Sequence, residues 1–166
     1  MSFCKEHPPE QAAVKRRAIE RLQIYSCGGG PLCAKISETQ TFTAIYTDPG
    51  GATDLQVVYL DIGGPGEAHS CFVAYVQAAN QLYLFNDDDS AVSAPLTPGT
   101  AGMASNSQCT ISGSGTTVSL AGNNLTVAFS FTFADTFTGL QDIYGLAQSY
   151  NGSQGVGWQS LGFWTP

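Results

Sequence analysis

From residue 39 onward, apolar and polar side chains alternate in short runs, broken by turn residues at intervals of about ten positions, the rhythm of an antiparallel all-β domain. Over 39–47, Phe42, Ala44 and Tyr46 are set against threonines. Leu125, Val127, Phe129, Phe131 and Phe133 alternate with Thr126, Ala128, Ser130 and Thr132, so one face of that strand is expected in a core and the other in water. Further strands are predicted over 55–62, 71–76, 82–85, 108–111, 116–120, 143–148 and 156–164. Asn80-Gln81, Asn123-Asn124 and Asn151-Gly152 read as turns, and clusters of Gly, Pro, Asp and Asn at 48–52, 63–66, 87–90 and 95–102 separate the runs.

Residues 9–25 follow a different pattern. Val14, Ala18, Leu22 and Tyr25 recur at helical spacing, Pro8 and Pro9 suit a first turn, and Gly28, Gly29 and Gly30 supply a stop, so a helix is predicted there. Lys15, Arg16, Arg17 and Arg21 form its other side, read as a solvated face or as a surface for a membrane or an acidic partner. The chain then divides into a basic helical segment with a Gly-rich linker, 1–36, and an antiparallel β-sandwich, 37–166.

Charge sharpens that division. Only 11% of the residues are charged, and the six basic ones all precede residue 36, while 36–166 carries ten carboxylates. Phosphate backbones would be repelled, so nucleic acid is not an expected partner. No apolar run is long enough for a membrane-spanning helix. The first residues lack the apolar core of a signal peptide.

Cys71 and Cys109 fall in two apolar strands, where a bridge between strands or sheets is natural; closing that loop restricts the unfolded chain by about 4 kcal/mol. Cys27 and Cys33 bracket a flexible Gly-rich turn and can close a second bridge, which leaves Cys4 odd. Cys4, His7, Cys27 and Cys33 are alternatively four zinc-type ligands, although a predicted helix intervenes. Asp87, Asp88 and Asp89 in one turn, and Asp48 and Asp54 in another, are candidate calcium ligands or simply turn acceptors. His69, beside Ser70, is the one histidine of the β region, and no nucleophile-elbow motif accompanies it. Tyr144, Tyr150, Trp158, Phe163 and Trp164 are core residues or, if exposed, a platform for sugar rings, with Trp158, Trp164 and Tyr150 as the named binding candidates. Asn124-Leu-Thr and Asn151-Gly-Ser match the glycosylation sequon.

The ordered segments 41–55 (TFTAIYTDPGGATDL), 70–75 (SCFVAY), 82–87 (LYLFND), 106–111 (NSQCTI), 137–144 (FTGLQDIY) and 157–164 (GWQSLGFW) resemble the immunoglobulin-like modules of large secreted proteins of the acidobacterial type. The resemblance covers about residues 38–166, with Cys71 and Cys109 matching the family's paired cysteines. It implies an immunoglobulin-like sandwich in an extracellular or cell-surface protein, non-enzymatic and structural or adhesive, with neighbouring modules, surface proteins or glycans as partners. Glycan binding through the C-terminal aromatics is the alternative function.

Overall fold

Two antiparallel sheets make up the computed structural model, which describes residues 18–25, 38–150 and 157–166, the first stretch by its backbone alone. In chain order the strands are β1 (Ala18–Tyr25), β2 (Gln40–Thr47), β3 (Leu55–Ile62), β4 (Cys71–Val76), β5 (Gln81–Leu84), β6 (Met103–Ser105), β7 (Cys109–Ser112), β8 (Thr117–Ala121), β9 (Asn124–Phe133), β10 (Gln141–Ser149) and β11 (Gln159–Trp164). The first sheet runs β1-β2-β9-β7-β6, with β8 also paired to β9, and the second runs β11-β10-β3-β4-β5. A single 3₁₀ turn, Ala52–Asp54, is the helical content among the described residues.

The helix predicted over 9–25 fails in its second half, where Ala18–Tyr25 is a strand paired antiparallel with β2 from Ala18↔Thr47 to Tyr25↔Thr41. Short apolar runs do not distinguish helix from strand by period. Here Leu22 and Ile24 alternate with Arg21 and Gln23 as a strand requires, and the free edge of β2 offers a ladder of backbone hydrogen bonds. Part of the segment set apart by its charge thus pairs with the sheet; residues 9–17 lie outside the described residues. Strand β6 was not foreseen. Its three residues carry no apolar alternation, and the pairing with β7 places them.

Both sheets contribute to one core, the arrangement of a β-sandwich. The first supplies Phe42, Ala44, Tyr46, Ile111, Leu125, Val127, Phe129, Phe131 and Phe133. The second supplies Val58, Leu60, Ile62, Val73, Tyr75, Leu82, Leu84 and Ile143. Each such large side chain contributes roughly 1.5–3 kcal/mol when fully buried.

Links that cross between the sheets among the described residues include the following three. The disulfide Cys71–Cys109 joins β4 to β7, as expected. The buried Tyr46 hydroxyl on β2 donates to the Tyr59 carbonyl on β3 at 2.9 Å, and burial pushes that phenol's pKa upward. Asn106 donates from Nδ2 to the Ser70 and Phe85 carbonyls of the second sheet at 3.0 and 3.1 Å, while its Oδ1 accepts from the Gln108 and Cys109 amides at 2.9 Å. Asn106 thus pins the sheets beside the disulfide, a role its sequence context gave no sign of.

Candidate functional site

Strand alternation makes the outer face of the second sheet predictable once its inner residues are known. With Leu60, Ile62, Val73 and Ile143 buried inward, the residues between them face outward. The registers set these in three rows across β10, β3, β4 and β5. The first is Tyr144, Asp61, Phe72 and Phe85; the second is Leu146, Tyr59, Ala74 and Tyr83; the third is Gln148, Val57, Val76 and Gln81. Most of this surface is apolar or aromatic, where an antiparallel sheet facing water normally carries polar side chains.

The rings form a connected cluster. Phe72 and Phe85 stack at 4.0 Å, and Trp158 approaches Phe72 at 5.5 Å and Tyr59 at 6.2 Å. Trp158 is 36% exposed, while Tyr59, Phe72 and Phe85 are half-buried. The Tyr59 hydroxyl donates to Gln148 Oε1 at 3.3 Å, which sets an amide beside the rings, and burial raises the pKa of this phenol too.

Of the aromatic residues expected to form a platform, only some are placed on it. Trp164 is a correction: at 6% exposure it packs in the core against Phe133 at 4.6 Å and Phe42 at 5.3 Å. Its strand ends where the two sheets' inner faces meet, so burial there satisfies the ring. Phe163 is 69% exposed, and Tyr150, also exposed, follows β10 and donates its backbone N–H to the Asp54 carbonyl. Tyr59, Phe72 and Phe85 were missed as site residues. Their signal was present: Val57-Val58-Tyr59-Leu60 and Cys71-Phe72-Val73-Ala74-Tyr75-Val76 are continuous apolar runs, which in an antiparallel strand means that both faces are apolar.

At one end of the strip lies an open depression of about 360 Å³, lined by Gly63, Gly64, Pro65, Glu67, Ala68, His69, Gln141, Asp142 and Tyr144. Tyr144 belongs to both the strip and the depression. The wall is the β3–β4 loop, folded tightly enough that a Cβ on Gly63, whose φ is 129°, would meet Ser70 Cβ at 2.9 Å. His69 lines the depression in a left-handed conformation, φ 69°, with its backbone N–H donated to the Asp87 carbonyl. Ser70, its chain neighbour, is buried and is not part of the lining.

Asp61, in the middle of the first row, is wholly buried. Among the described residues neither carboxylate oxygen has a partner in hydrogen-bond geometry, nor has the buried Ser70 hydroxyl. Burial lifts this carboxyl to about 6; the nearby Ser70 hydroxyl and Gly64 amide partly ease the charge, and the Asp89 carboxylate adds to the lift.

The triple aspartate is not gathered on one point. Asp87 Oδ1 accepts from the Ser107 amide at 2.9 Å, and Asp88 Oδ1 accepts from the Ser90 amide and hydroxyl, which holds Asp88 below its ordinary pKa. Among the described residues no group of three or more His, Cys, Asp or Glu side chains is placed to hold a metal. Asp48 Oδ1 caps its own turn by accepting from the Gly50 amide at 2.8 Å. Asn124 lies within β9, where its side chain accepts from the Thr47 hydroxyl. Cys4, His7, Cys27, Cys33 and the second sequon at Asn151 lie outside the described residues, and no described helix is long and apolar enough to cross a membrane.

Comparison with known proteins adds no relative: no family model, no curated protein and no solved structure matches the chain.

Proposed function

We propose that this chain is a non-enzymatic adhesive module of an extracellular or cell-surface protein, built as an immunoglobulin-like sandwich, and that it binds glycans along the outer face of its second sheet. The strand order supports the fold assignment. β1-β2-β9-β7 and β11-β10-β3-β4-β5 follow the A-B-E-D and G-F-C-C′-C″ orders of a variable-type immunoglobulin domain. The disulfide departs from that type, joining β4 to β7 rather than the counterparts of strands B and F, β2 and β10. A buried disulfide suits an oxidising compartment, which supports the extracellular setting.

The observation that carries the ligand class is the outward strip of Tyr59, Phe72, Phe85 and exposed Trp158, with the Gln148 amide alongside and the polar depression at one end. Aromatic faces stack on the C–H faces of sugar rings, while amides and carboxylates exchange hydrogen bonds with hydroxyls. A neutral glycan needs no cationic partner, and 36–166 contains no Lys or Arg.

The chain has two tryptophans, and Trp164 is in the core, so ligand-dependent fluorescence change reports Trp158. A panel of neutral oligosaccharides is expected to include one that changes the emission saturably, with affinity falling by about tenfold or more in Trp158→Ala and Tyr59→Ala. If no member of the panel binds at roughly millimolar concentration, the glycan assignment is wrong.

A further inference from the structure

Strand register builds the depression at the end of the aromatic strip. Ile143 pairs with Ile62, and Gly63 donates its N–H to the Asp142 carbonyl at 2.9 Å, so the row beyond Tyr144 and Asp61 holds Asp142 and Gly63. Gly63 carries no side chain, which leaves the floor of that row open. Ile143 and Trp164 are buried in the core, so their chain neighbours Asp142 and Phe163, paired directly across β10 and β11, share the outer face. Phe163 is 69% exposed there, an aromatic ring beside a carboxylate at the rim.

A second ring and a second carboxylate meet over the next residue. The position that a Cβ would take on Gly64 lies 3.4 Å from Glu67 Cγ and 3.9 Å from Tyr144 Cε2, so the acid of the loop and the phenol of β10 flank the same glycine. Glu67, Tyr144 and Asp142 all line the depression of about 360 Å³, whose one basic side chain is His69. That volume lies at the low end of ligand pockets, roughly 300–1,000 Å³, and suits a single sugar ring. Two carboxylates and an aromatic ring attract a cation, the acids by charge-assisted hydrogen bonds and the ring by its quadrupole. With no Lys or Arg in 36–166, an anionic ligand would meet only repulsion there.

We infer that the depression binds the protonated amine of an amino sugar, held by Glu67, Asp142 and the Tyr144 ring. The inference rests on the glycan reading of the strip for the rest of the ligand and adds its terminal residue, a hexosamine whose nitrogen is not acylated. Tyr144 joins the two parts, since it belongs to the first row of the strip and to the lining of the depression. An ammonium offers three donors and a charge, whereas an N-acetyl group keeps one donor and no charge. Acetylation therefore removes the part of the ligand that this pocket recognises.

The test titrates the full chain near neutral pH with the tetramer of glucosamine and, separately, with its fully N-acetylated counterpart, following Trp158 emission. The glucosamine tetramer is expected to bind about fivefold or more tightly. In roughly 1 M salt the advantage should fall to about twofold or less, because the paired charges are exposed. Glu67→Gln and Asp142→Asn, both at exposed positions, should each lower affinity for the glucosamine tetramer and leave that for the acetylated one unchanged. Equal affinity of the two tetramers in the parent, or an advantage retained in both variants, overturns the amine site while the strip reading stands. If neither tetramer alters Trp158 emission, it is the strip that fails for this ligand, and monosaccharides decide the depression by itself. Glucosamine at tens of millimolar should then shift the Gly63 and Gly64 amide resonances saturably and N-acetylglucosamine should not; no shift overturns the inference. Trilysine shifting these amides at lower concentration than glucosamine would make the ligand a basic peptide and overturn the sugar assignment.

Discussion

The two sheets share one core and present opposite outer faces. On the first sheet the outward residues of β2 and β9 are mostly small hydroxylated side chains, Thr41, Thr43, Thr47, Thr126 and Thr132, with Ile45 and Ala128 among them and the outward Ser130 covered. On the second, the corresponding positions hold Val57, Tyr59, Phe72, Ala74, Val76, Tyr83 and Phe85. Inward packing explains most of the first pattern and only half of the second. An aromatic outer face contributes nothing to a two-layer core, and large exposed apolar patches on soluble domains mark contact surfaces. The difference fits the proposal above, in which the second sheet carries a binding face that the first does not.

The largest effect that tests this contrast is in the shared core. Phe129→Ala, at a fully buried inner position, should cost about 3–5 kcal/mol by equilibrium denaturation. Phe72→Ala on the second sheet's outer face should cost about 1–2 kcal/mol, since its ring is only half-buried. Thr43→Ala on the first sheet's outer face should stay within about 0.5 kcal/mol. If Phe72→Ala proves as costly as Phe129→Ala, the outer aromatics form a second core and the recognition reading of that face fails.

Asp61 sharpens the comparison further, because among the described outward residues of β2 and β9 there is no acid. Its carboxyl is raised in the folded protein from an ordinary 3.8 to about 6, mainly by burial. The folded state thus holds this proton more tightly than the unfolded chain, so its contribution is fully present below about pH 3.8 and is lost as pH rises through about 6. A shift of that size corresponds to about 3 kcal/mol. The stability of the parent should decline over this window, with Asp89, also raised by burial and by its neighbour Asp88, contributing in the same sense. Asp61→Asn should flatten most of the decline. A parallel pH profile in the variant would mean that Asp61 is solvated in solution.

The strands of both sheets were legible in the sequence because period-two alternation and turn residues mark them independently of tertiary contacts. Phe129 and Phe131 declared the core directly, and the positions of Cys71 and Cys109 in apolar strands anticipated the bridge. What was not legible depends on pairing. Ala18–Tyr25 is a strand because the edge of β2 accepts it, and no local period decides between its two readings. Trp158 and Trp164 look equivalent in sequence, yet one closes the core and the other lies on the outer strip, a difference set by the register of β11 on β10. Asp61 looked like one acid among ten until the loops after β3 and β5 were seen to bury it.

The smallest expected effect on stability is also the most diagnostic of the outer strip. Trp158 makes ring contacts with Tyr59 and Phe72 and leaves 36% of its surface in water, so truncation removes a partial contact and opens no enclosed cavity. Trp158→Ala should therefore lower the unfolding free energy by about 1 kcal/mol or less, a melting shift of a few degrees, roughly 2–4 °C, for a chain of this size. The same change uncovers part of Tyr59 and Phe72, so binding of an apolar dye to the native state should alter while far-ultraviolet circular dichroism stays the same. A core tryptophan behaves oppositely: its loss leaves a void that costs several kcal/mol, as Trp164→Ala should on the inner side of β11. If the two tryptophan variants were equally unstable, Trp158 would be a lid closing a second core, and the division of labour between the two sheets would collapse.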